Sequence, residues 1–487
     1  MSDLFTDSEI VIGLVGAVGT NLRNIASLIK DRLRIYDYAC DVINISSDVI
    51  AKLIPNPVET SNEYERISKY MDLGDQIRKE SRTNAALALG AVAKISSMRS
   101  EEEGEPKPSK RKAYIIKSLK HQDEVAKLRY TYGSGFYLFG IYGDENNRLD
   151  FLVNTKNMRE EDAKDLIKRD EDESITVGKH GQQTRSTFQL SDFFINDEHD
   201  IQKLRNSLHR ILDILLGHPF KTPTFDEYAM FIAYTTSLRS ADLSRQIGAV
   251  IANNNEIISS GVNDCPKSGG GLYWPEYDVD EKCYIDQTDG RDYMLGYDSN
   301  KIEQLSIIKS ILESLDMEVS TENINIVKNS KIRHLTEYGR VVHAEMEAIL
   351  MAARNNISCR NATLYCTTFP CHNCAKHIIA SGIKKVIYIE PYPKSKAFDF
   401  YKDAIDHNNN NNKVEFTPFI GIGPRRYIQM FAMTSGYGYD KIRKNKEGYK
   451  VEWDVSKAFL LEQMFPNSYL KRELMARAVY NKISGKA

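Results

Sequence analysis

Short apolar runs alternate with amphipathic stretches along much of the chain, and this alternation predicts a layered α/β fold. The predicted strands of the first half are residues 9–15, 112–119, 136–142 and 193–195. The predicted helices between them are residues 21–33 and 121–132. Because strand, helix and strand follow one another as in a βαβ unit, we expect a parallel sheet in this half.

The second half repeats the alternation after a cluster of Thr and Pro residues near position 222. Its predicted strands are residues 362–367 and 385–390, and its predicted helices are residues 227–239, 344–354 and 371–380. A boundary near His218 therefore predicts two α/β domains, residues 1–218 and 219–487. The charged, proline-containing stretch 100–112 is predicted to be a loop within the first domain, and the Asn-rich stretch 408–412 a surface loop.

Composition narrows the class of protein. The chain has 487 residues, of which 41% are hydrophobic, as is ordinary for a globular protein. No apolar run approaches the roughly 20 residues that cross a bilayer, and the acidic start argues against a secretory signal, so we expect a cytoplasmic protein without a membrane partner. Seven cysteines with one tight pair favour a metal site over a disulfide framework. A net charge of −2 gives no sign of a duplex-wrapping protein.

Four residues in two short motifs supply the chemistry. His343-Ala344-Glu345 is followed by Pro370-Cys371-His372-Asn373-Cys374, the H-x-E and P-C-x-x-C pattern of zinc-dependent nucleobase deaminases. His343, Cys371 and Cys374 are the predicted zinc ligands, which leaves the fourth tetrahedral position open for water. Glu345, two residues beyond the histidine, is the predicted general acid and base. No organic cofactor is required.

The alternative interpretation is a closed structural zinc site. Its fourth ligand would be His372 or His377, although a closed site usually combines two tight ligand pairs. Cys265 and Cys283 could form a second metal site but lack a tight pair. Cys40, Cys359 and Cys366 are interpreted as small buried apolar residues.

A glycine-containing turn follows the first predicted strand and precedes a helix, which is the layout of a phosphate-binding loop. Gly16, Gly19 and Thr20 are its candidate phosphate-binding residues. Leu22 and Arg23 stand where such loops carry Lys and a magnesium-binding hydroxyl. We therefore expect nucleotide binding without efficient hydrolysis, and the alternative is a tight turn with no ligand.

Residues 269–300 form the longest segment without predicted regular structure. The segment is rich in Gly, Asp and aromatic residues. A long loop inside a compact domain is often a lid or a binding loop, so we predict one here, with a subunit contact as the alternative.

The second half resembles the deoxycytidylate/cytidine deaminase family, in which the zinc motifs follow Arg245-Gln246-Ile247-Gly248 and Gly261-Val262-Asn263 in this order. The whole chain resembles bacterial anti-phage dCTP deaminases. Supporting stretches are residues 118–125, 391–395 and 421–426. This resemblance implies a P-loop NTPase-like, kinase-like regulatory domain at residues 1–218 and an α/β/α cytidine-deaminase-like domain at residues 219–487.

The resemblance also implies a function. The expected reaction converts deoxycytidine nucleotides, dCTP or dCMP, to deoxyuridine nucleotides and ammonia, which starves phage replication. Expected partners are a regulatory nucleotide at the first domain, an inhibitory small RNA and further copies of the chain in a homo-oligomer.

The predicted substrate contacts are Asn263 for sugar or base, and Arg245 and Arg425 for phosphate. Arg239, Lys267, Lys394 and Arg426 are further phosphate candidates. Asn263 could instead turn or cap the chain before Pro266. Two other functions stay open: a deaminase of single-stranded DNA or RNA, and an interaction protein that senses a nucleotide and holds structural zinc.

Overall fold

The protein is described here by a computed structural model. It describes residues 8–54, 59–99, 101–102, 105–176, 180–198, 200–330, 332, 335–390, 395–407, 412–434 and 440–485. The chain folds as two compact units. Unit 1 comprises Met1–Pro223 and Ile420–Ala487, and unit 2 comprises Thr224–Phe419.

The strands, in chain order, are β1 (Ile10–Gly16), β2 (Ala39–Asn44), β3 (Glu101–Glu102), β4 (Glu105–Pro106), β5 (Lys112–Lys117), β6 (Phe136–Tyr142), β7 (Phe193–Asn196), β8 (Gly248–Asn253), β9 (Glu256–Val262), β10 (Glu276–Asp278), β11 (Cys283–Ile285), β12 (Thr363–Thr368), β13 (Lys385–Glu390), β14 (Ile405–Asp406), β15 (Val414–Pro418) and β16 (Gly421–Ile422).

The α-helices are α1 (Leu22–Arg34), α2 (Ala51–Leu53), α3 (Glu63–Glu80), α4 (Ala86–Ser97), α5 (Gln122–Tyr132), α6 (Glu145–Asp150), α7 (Glu160–Thr176), α8 (Thr184–Phe188), α9 (Ile201–Leu215), α10 (Phe225–Ser237), α11 (Asp292–Leu295), α12 (Ser299–Ser314), α13 (Thr321–Lys328), α14 (Ala344–Arg354), α15 (His372–Ala380), α16 (Ala397–Phe400), α17 (Tyr427–Phe431) and α18 (Pro466–Ile483). Two π-helical turns, Ile45–Ile50 and Phe151–Thr155, lie in unit 1.

Unit 1 is built on a six-stranded sheet with the order β2-β5-β1-β6-β7-β16. Strands β2, β5, β1, β6 and β7 are parallel, which confirms the predicted parallel sheet. β1 is apolar and completely buried because it lies in the middle of the sheet between β5 and β6. The carboxyl ends of these strands meet at one edge, where a ligand of such a sheet usually binds.

The predicted domain of residues 219–487 is wrong at its C-terminal end. β16 adds antiparallel to β7 of unit 1. α18 returns to the same unit, where Glu473 forms a buried ion pair with Arg99, with Nε and Oε2 2.6 Å apart. Ile420–Ala487 therefore belongs to unit 1. The prediction failed because the contacts that hold this segment join residues far apart in the chain, and local sequence patterns do not indicate such contacts. The predicted loop 100–112 contains the short β3–β4 hairpin and the beginning of β5; residues 100, 103 and 104 lie outside the described residues.

Unit 2 contains a mixed sheet with the order β14-β15-β13-β12-β8-β9, in which β8 runs antiparallel to both β12 and β9. Ala249 and Ile251 on one face share an apolar cluster with residues of α14 and α15. Tyr365 on the other face contacts Phe225 and donates a hydrogen bond to Asp226 at 2.6 Å, both at the start of α10. Helices therefore cover both faces, and the layered α/β/α arrangement is confirmed for this unit.

The segment 269–300 is more regular than predicted. It contains the antiparallel hairpin of β10 and β11, the short helix α11 and the first residues of α12. The exposed rings of Tyr277 and Tyr284 pack against each other across that hairpin, with their centroids 5.4 Å apart. Cross-strand aromatic pairing stabilises a hairpin that sequence periodicity alone does not reveal. Its role as lid or subunit contact stays a prediction.

Among the described residues, no helix is long and apolar enough to cross a membrane.

Candidate active site

His343 and Glu345 lie at the start of α14, and this first turn of the helix packs against β9. His343 is the residue that precedes the helix, and its extended backbone turns the chain into the helix at Ala344. Gly261 of β9 makes this close approach possible: a Cβ atom at this position would lie 2.1 Å from the carbonyl oxygen of Ala344 and 2.3 Å from the amide nitrogen of Ala348. Only a glycine lets the helix backbone rest directly on the strand.

The second ligand pair lies at the start of α15. Cys371 is the N-terminal cap of this helix, and its sulfur accepts a hydrogen bond from the amide of Cys374 at 3.5 Å. Both cysteines lie where the positive end of the helix dipole favours thiolate over thiol. The predicted helix position was correct to within one residue.

The three predicted ligands converge in the structure. The Nδ1 atom of His343 lies 3.2 Å from the sulfur of Cys374 and 3.5 Å from the sulfur of Cys371, and the two sulfurs are 3.7 Å apart. A tetrahedral zinc ion with Zn–S about 2.3 Å and Zn–N about 2.0 Å separates its sulfur ligands by about 3.8 Å and a sulfur from a nitrogen by about 3.5 Å. The donor set and its spacing therefore fit zinc.

The electrostatics of the cluster favour a bound cation. Hydrogen bonds from Cys374 and then from His343 lower the pKa of the Cys371 thiol to about 4, against the effect of burial. The hydrogen bond to Cys371 raises the pKa of His343 to about 9. Burial raises the pKa of the Cys374 thiol above its ordinary value. The thiolate form of Cys371 is the form that binds zinc, and a bound zinc ion would displace the protons of His343 and Cys374.

Glu345, the predicted general acid and base, lies in an environment that suits that role. Its side chain is almost completely buried, and this burial raises the pKa of its carboxyl above the ordinary value. A raised carboxyl pKa brings a group closer to the range in which it takes and returns protons near neutral pH. The carboxyl also contributes to the raised pKa of the neighbouring Cys366 thiol, after burial of that thiol, so Cys366 of β12 lies against it.

Cys366 is the site residue that the sequence interpretation missed. Among buried apolar strand positions it has no distinguishing signal, because only the packing of β12 beside α14 brings its thiol to Glu345.

A closed structural site finds no fourth ligand in the described part of the chain. The group of potential metal ligands found there consists of His343, Cys371 and Cys374. His377 is exposed and contacts the backbone oxygen of Asn373 at 2.7 Å, and His372 packs edge-on against Phe400. Cys265 is buried beside Asp292, whereas Cys283 is exposed, so within the described residues the second metal site is not formed.

Asn263 holds the chain at the end of β9. Its buried side chain accepts a hydrogen bond from the amide of Ile247 at 2.7 Å and donates one to the carbonyl of Arg245 at 2.8 Å. These contacts tie together two segments beside the metal ligands. Arg245 itself is half exposed, with its guanidinium 3.4 Å from the carboxylate of Glu390. Substrate contacts of Asn263 and Arg245 stay predictions.

The other predicted phosphate contacts have different outcomes. Arg425 is exposed but lies in unit 1, so its contact with substrate stays a prediction. Arg426 is buried and bonded to Asp192, Glu462 and the carbonyl of Phe136, which makes it a structural residue of unit 1 rather than a phosphate ligand. Arg239 stacks on Trp274 with its guanidinium carbon 3.7 Å from the ring centroid, and Lys267 pairs with Glu276. Lys394 lies outside the described residues, as does most of the 391–395 stretch.

Several backbone amides of the predicted phosphate loop in unit 1 donate hydrogen bonds to other protein groups. The amide of Val18 donates to the carboxylate of Asp170 at 2.8 Å, and the amide of Asn21 donates to Asp197 at 2.9 Å. The amide of Thr20 donates to the carbonyl of Ala17. Gly19 has a φ of +91°, and a Cβ there would lie 2.7 Å from that of Arg148. Phosphate binding by Gly16, Gly19 and Thr20 stays a prediction, and these carboxylates argue against an amide cradle.

Comparison with known proteins agrees with the geometry of unit 2. The family model described as "Cytidine and deoxycytidylate deaminase zinc-binding region" matches residues 223–390. Deoxycytidylate deaminase of Enterobacteria phage T4 is 36% identical over 167 residues, which are 34% of this chain and 77% of the phage protein. The human deoxycytidylate deaminase is 27% identical over 164 residues, covering 34% of this chain and 63% of that protein. A crystal structure of the dCMP deaminase of cyanophage S-TIM5 with dCMP and dUMP is 19% identical, covers 41% of this chain and 98% of that chain, and has a TM-score of 0.24.

The chain belongs to the cytidine and deoxycytidylate deaminase family. Members of this family are zinc-dependent hydrolases that act on the amino group of cytosine, and zinc is the metal that His343, Cys371 and Cys374 of this chain would hold.

Proposed function

We propose that the chain hydrolyses the C4 amino group of cytosine in free deoxycytidine nucleotides, releasing ammonia and a deoxyuridine nucleotide. The observation that carries this proposal is the buried Glu345 beside three potential ligands with tetrahedral zinc spacing, for which the described residues supply no fourth protein ligand. The names of the phage and human relatives support a deoxycytidine nucleotide as the substrate.

Each group of the site has a separate role in the proposed reaction. Zinc supplies a Lewis acid that lowers the pKa of water near the base. Glu345 takes one proton from the attacking water and passes it to N3 of cytosine while the water oxygen adds to C4. The same carboxylate then takes the proton of the added hydroxyl and gives it to the amino group, which leaves as ammonia as the C4 carbonyl forms. Its burial excludes bulk water that would compete for these protons. Asn263 keeps the segments around Arg245 and Ile247 in place beside the ligands.

Substrate form is tested with a panel of cytidine, deoxycytidine, dCMP, dCTP, CTP and a cytosine-bearing oligonucleotide, each incubated with the zinc-loaded protein and analysed for the uracil product. If cationic side chains bind phosphate, a deoxynucleotide should react about one to two decades better than deoxycytidine. Equal rates for nucleoside and nucleotide would contradict the nucleotide assignment. Preferred reaction of the oligonucleotide would make the protein an editing enzyme instead.

We further propose that dCTP is the substrate in the cell and that its depletion defends against phage, with unit 1 as the regulator. The resemblance of the whole chain to anti-phage dCTP deaminases supports this, as does the presence of a second compact unit that the family match does not cover. Nucleotide pools measured during phage infection should show dCTP falling in cells with the intact protein and holding steady with Glu345→Gln. A fall in both strains would refute the role.

A further inference from the structure

A cavity of about 530 Å³ opens in unit 1 at the carboxyl ends of β1, β5 and β2. Its walls come from the loop after β1, the start of α1, α3 and the π-helical turn Phe151–Thr155. A pocket of this size accommodates a small organic ligand. It lies on the β2 and β5 side of β1, away from the end of β6.

Positive side chains dominate the charge of the cavity. Six cations and one carboxylate line it: Arg23, Arg66, Arg78, Lys117, Lys120, Lys156 and Glu63. Arg78 is paired with Glu124 and Asp75, and Lys120 with Asp170. Glu63 is shared by Arg66 and Lys156. For Arg23 and Lys117 no hydrogen-bond or ion-pair partner is found among the described residues.

These cations repel one another across the cavity. Burial first, then the charges of Arg23 and Lys156, lower the pKa of Lys117 below its ordinary value. Lys117 and Lys156 are half-buried and Arg23 is exposed, and like charges held close together at such positions cost stability unless an anion compensates them. The cluster therefore points to an anionic ligand between Arg23, Lys117 and Lys156.

Two buried polar side-chain atoms on the cavity wall also lack a hydrogen-bond partner among the described residues. The hydroxyl of Thr20 and the side-chain oxygen of Gln182 are buried and have no hydrogen-bond partner within the described residues. Thr20 is 9% exposed and Gln182 6% exposed, and both line the cavity. Buried polar groups of this kind are rarely left unpaired, so a polar ligand is the simplest partner.

The rest of the wall is apolar. Ile67, Tyr70, Met71, Leu87 and Leu152 form it. An anion such as phosphate alone would leave this surface without a contact, whereas a nucleoside phosphate presents a charged group and a flat apolar base together.

We propose that this cavity binds a nucleoside 5′-phosphate, with the phosphate held by the side chains of Arg23, Lys117 and Lys156 and the base against the apolar wall of Tyr70. This differs from a phosphate cradle of backbone amides, because Asp170 and Asp197 already occupy the amides of Val18 and Asn21. The proposal is independent of the deaminase reaction of unit 2.

The experiment measures binding of dTMP, dTTP, AMP, ATP, inorganic phosphate and a short RNA made only of adenine nucleotides to the full zinc-loaded chain by calorimetry. None of these carries cytosine, so none is a substrate of the proposed reaction. The test variant is Lys117→Met, which keeps the length of the side chain and removes its charge. Lys79→Met is the matched control, because Lys79 is exposed on α3 of the same unit.

At least one nucleotide should bind, and Lys117→Met should weaken it tenfold or more, since a charge-assisted contact is lost. Lys79→Met should leave the affinity unchanged. Without ligand, Lys117→Met should unfold at the same temperature as the parent or higher because repulsion is relieved. That combination excludes a merely structural role for Lys117.

Other results overturn the proposal. Equal affinity of the parent and Lys117→Met would place the nucleotide elsewhere, and binding of inorganic phosphate as tight as that of every nucleotide would remove the base from recognition. If a short RNA bound more tightly than any mononucleotide, and Lys117→Met weakened that binding as well, the proposal would be wrong. The ligand of the cavity would then be the end of an RNA strand. No binding by any probe would refute it. Deamination of dCMP and dCTP, assayed in parallel, reports on unit 2 separately.

Discussion

Gly261→Ala tests whether the close approach of α14 to β9 positions the catalytic carboxylate. The new Cβ would lie 2.1 Å from the carbonyl oxygen of Ala344 and 2.3 Å from the amide nitrogen of Ala348. Ordinary contact distances begin near 3.4 Å, so the first turn of the helix must retreat by roughly 1 Å. His343 and Glu345 belong to that turn and move with it.

The expected cost is about 1–3 kcal/mol of folding stability from overpacking. A displacement of about 1 Å at the reacting groups typically costs about 100-fold in rate. We therefore expect kcat for the preferred deoxycytidine nucleotide to fall by about two decades in protein that is still folded. Thermal unfolding and zinc content are measured on the same samples, so that loss of fold or metal is recognised.

Gly339→Ala is the matched control in unit 2. The nearest heavy atom to a Cβ at Gly339 is 3.4 Å away, an ordinary contact, and its backbone does not need positive φ. This variant should keep the activity and the unfolding temperature of the parent. If Gly261→Ala also kept both, the helix would not depend on that contact, and the argument for how β9 positions the site would be refuted.

The remaining predictions concern the metal, the proton carrier and the C-terminal segment. Glu345→Gln should keep stoichiometric zinc by metal analysis and lose about two to four decades in kcat, since it removes proton transfer and no ligand; loss of zinc would make the carboxylate a ligand. Cys371→Ala should lose both zinc and activity, and full activity in metal-free buffer would exclude the site. Apparent zinc affinity should weaken as pH falls below about 9, by up to a hundredfold per unit, because zinc must displace the proton of His343, whose pKa is raised to about 9, and that of Cys374, whose pKa is raised above its ordinary value; a flat profile by chelator competition would contradict this. Glu473→Ala should destabilise unit 1 by about 3 kcal/mol in denaturant unfolding, because the buried Arg99 loses a partner, whereas the exposed Glu447→Ala should change little.

The sequence by itself determined the chemistry of unit 2. The spacing of His343, Cys371 and Cys374 predicts the three residues that converge in the structure, and the spacing of Glu345 predicts the proposed proton carrier, because residues of a short motif at a helix N-terminus are held together by local geometry. Regular periodicity likewise located α14 and β13 without error and α15 to within one residue. Local patterns of this kind depend on neighbours in sequence, which is why they could be predicted.

Only the tertiary structure decided the rest. Ile420–Ala487 joins unit 1 through β16 and the Glu473 ion pair, contacts hundreds of residues apart along the chain. The loop after β1 looks like a phosphate cradle in sequence, yet Asp170 and Asp197 reach its amides from distant segments. Cations from α1, β5 and the segment after α6 meet around one cavity for the same reason. Burial and charge depend on which segments meet in space, and one-dimensional spacing does not contain that information.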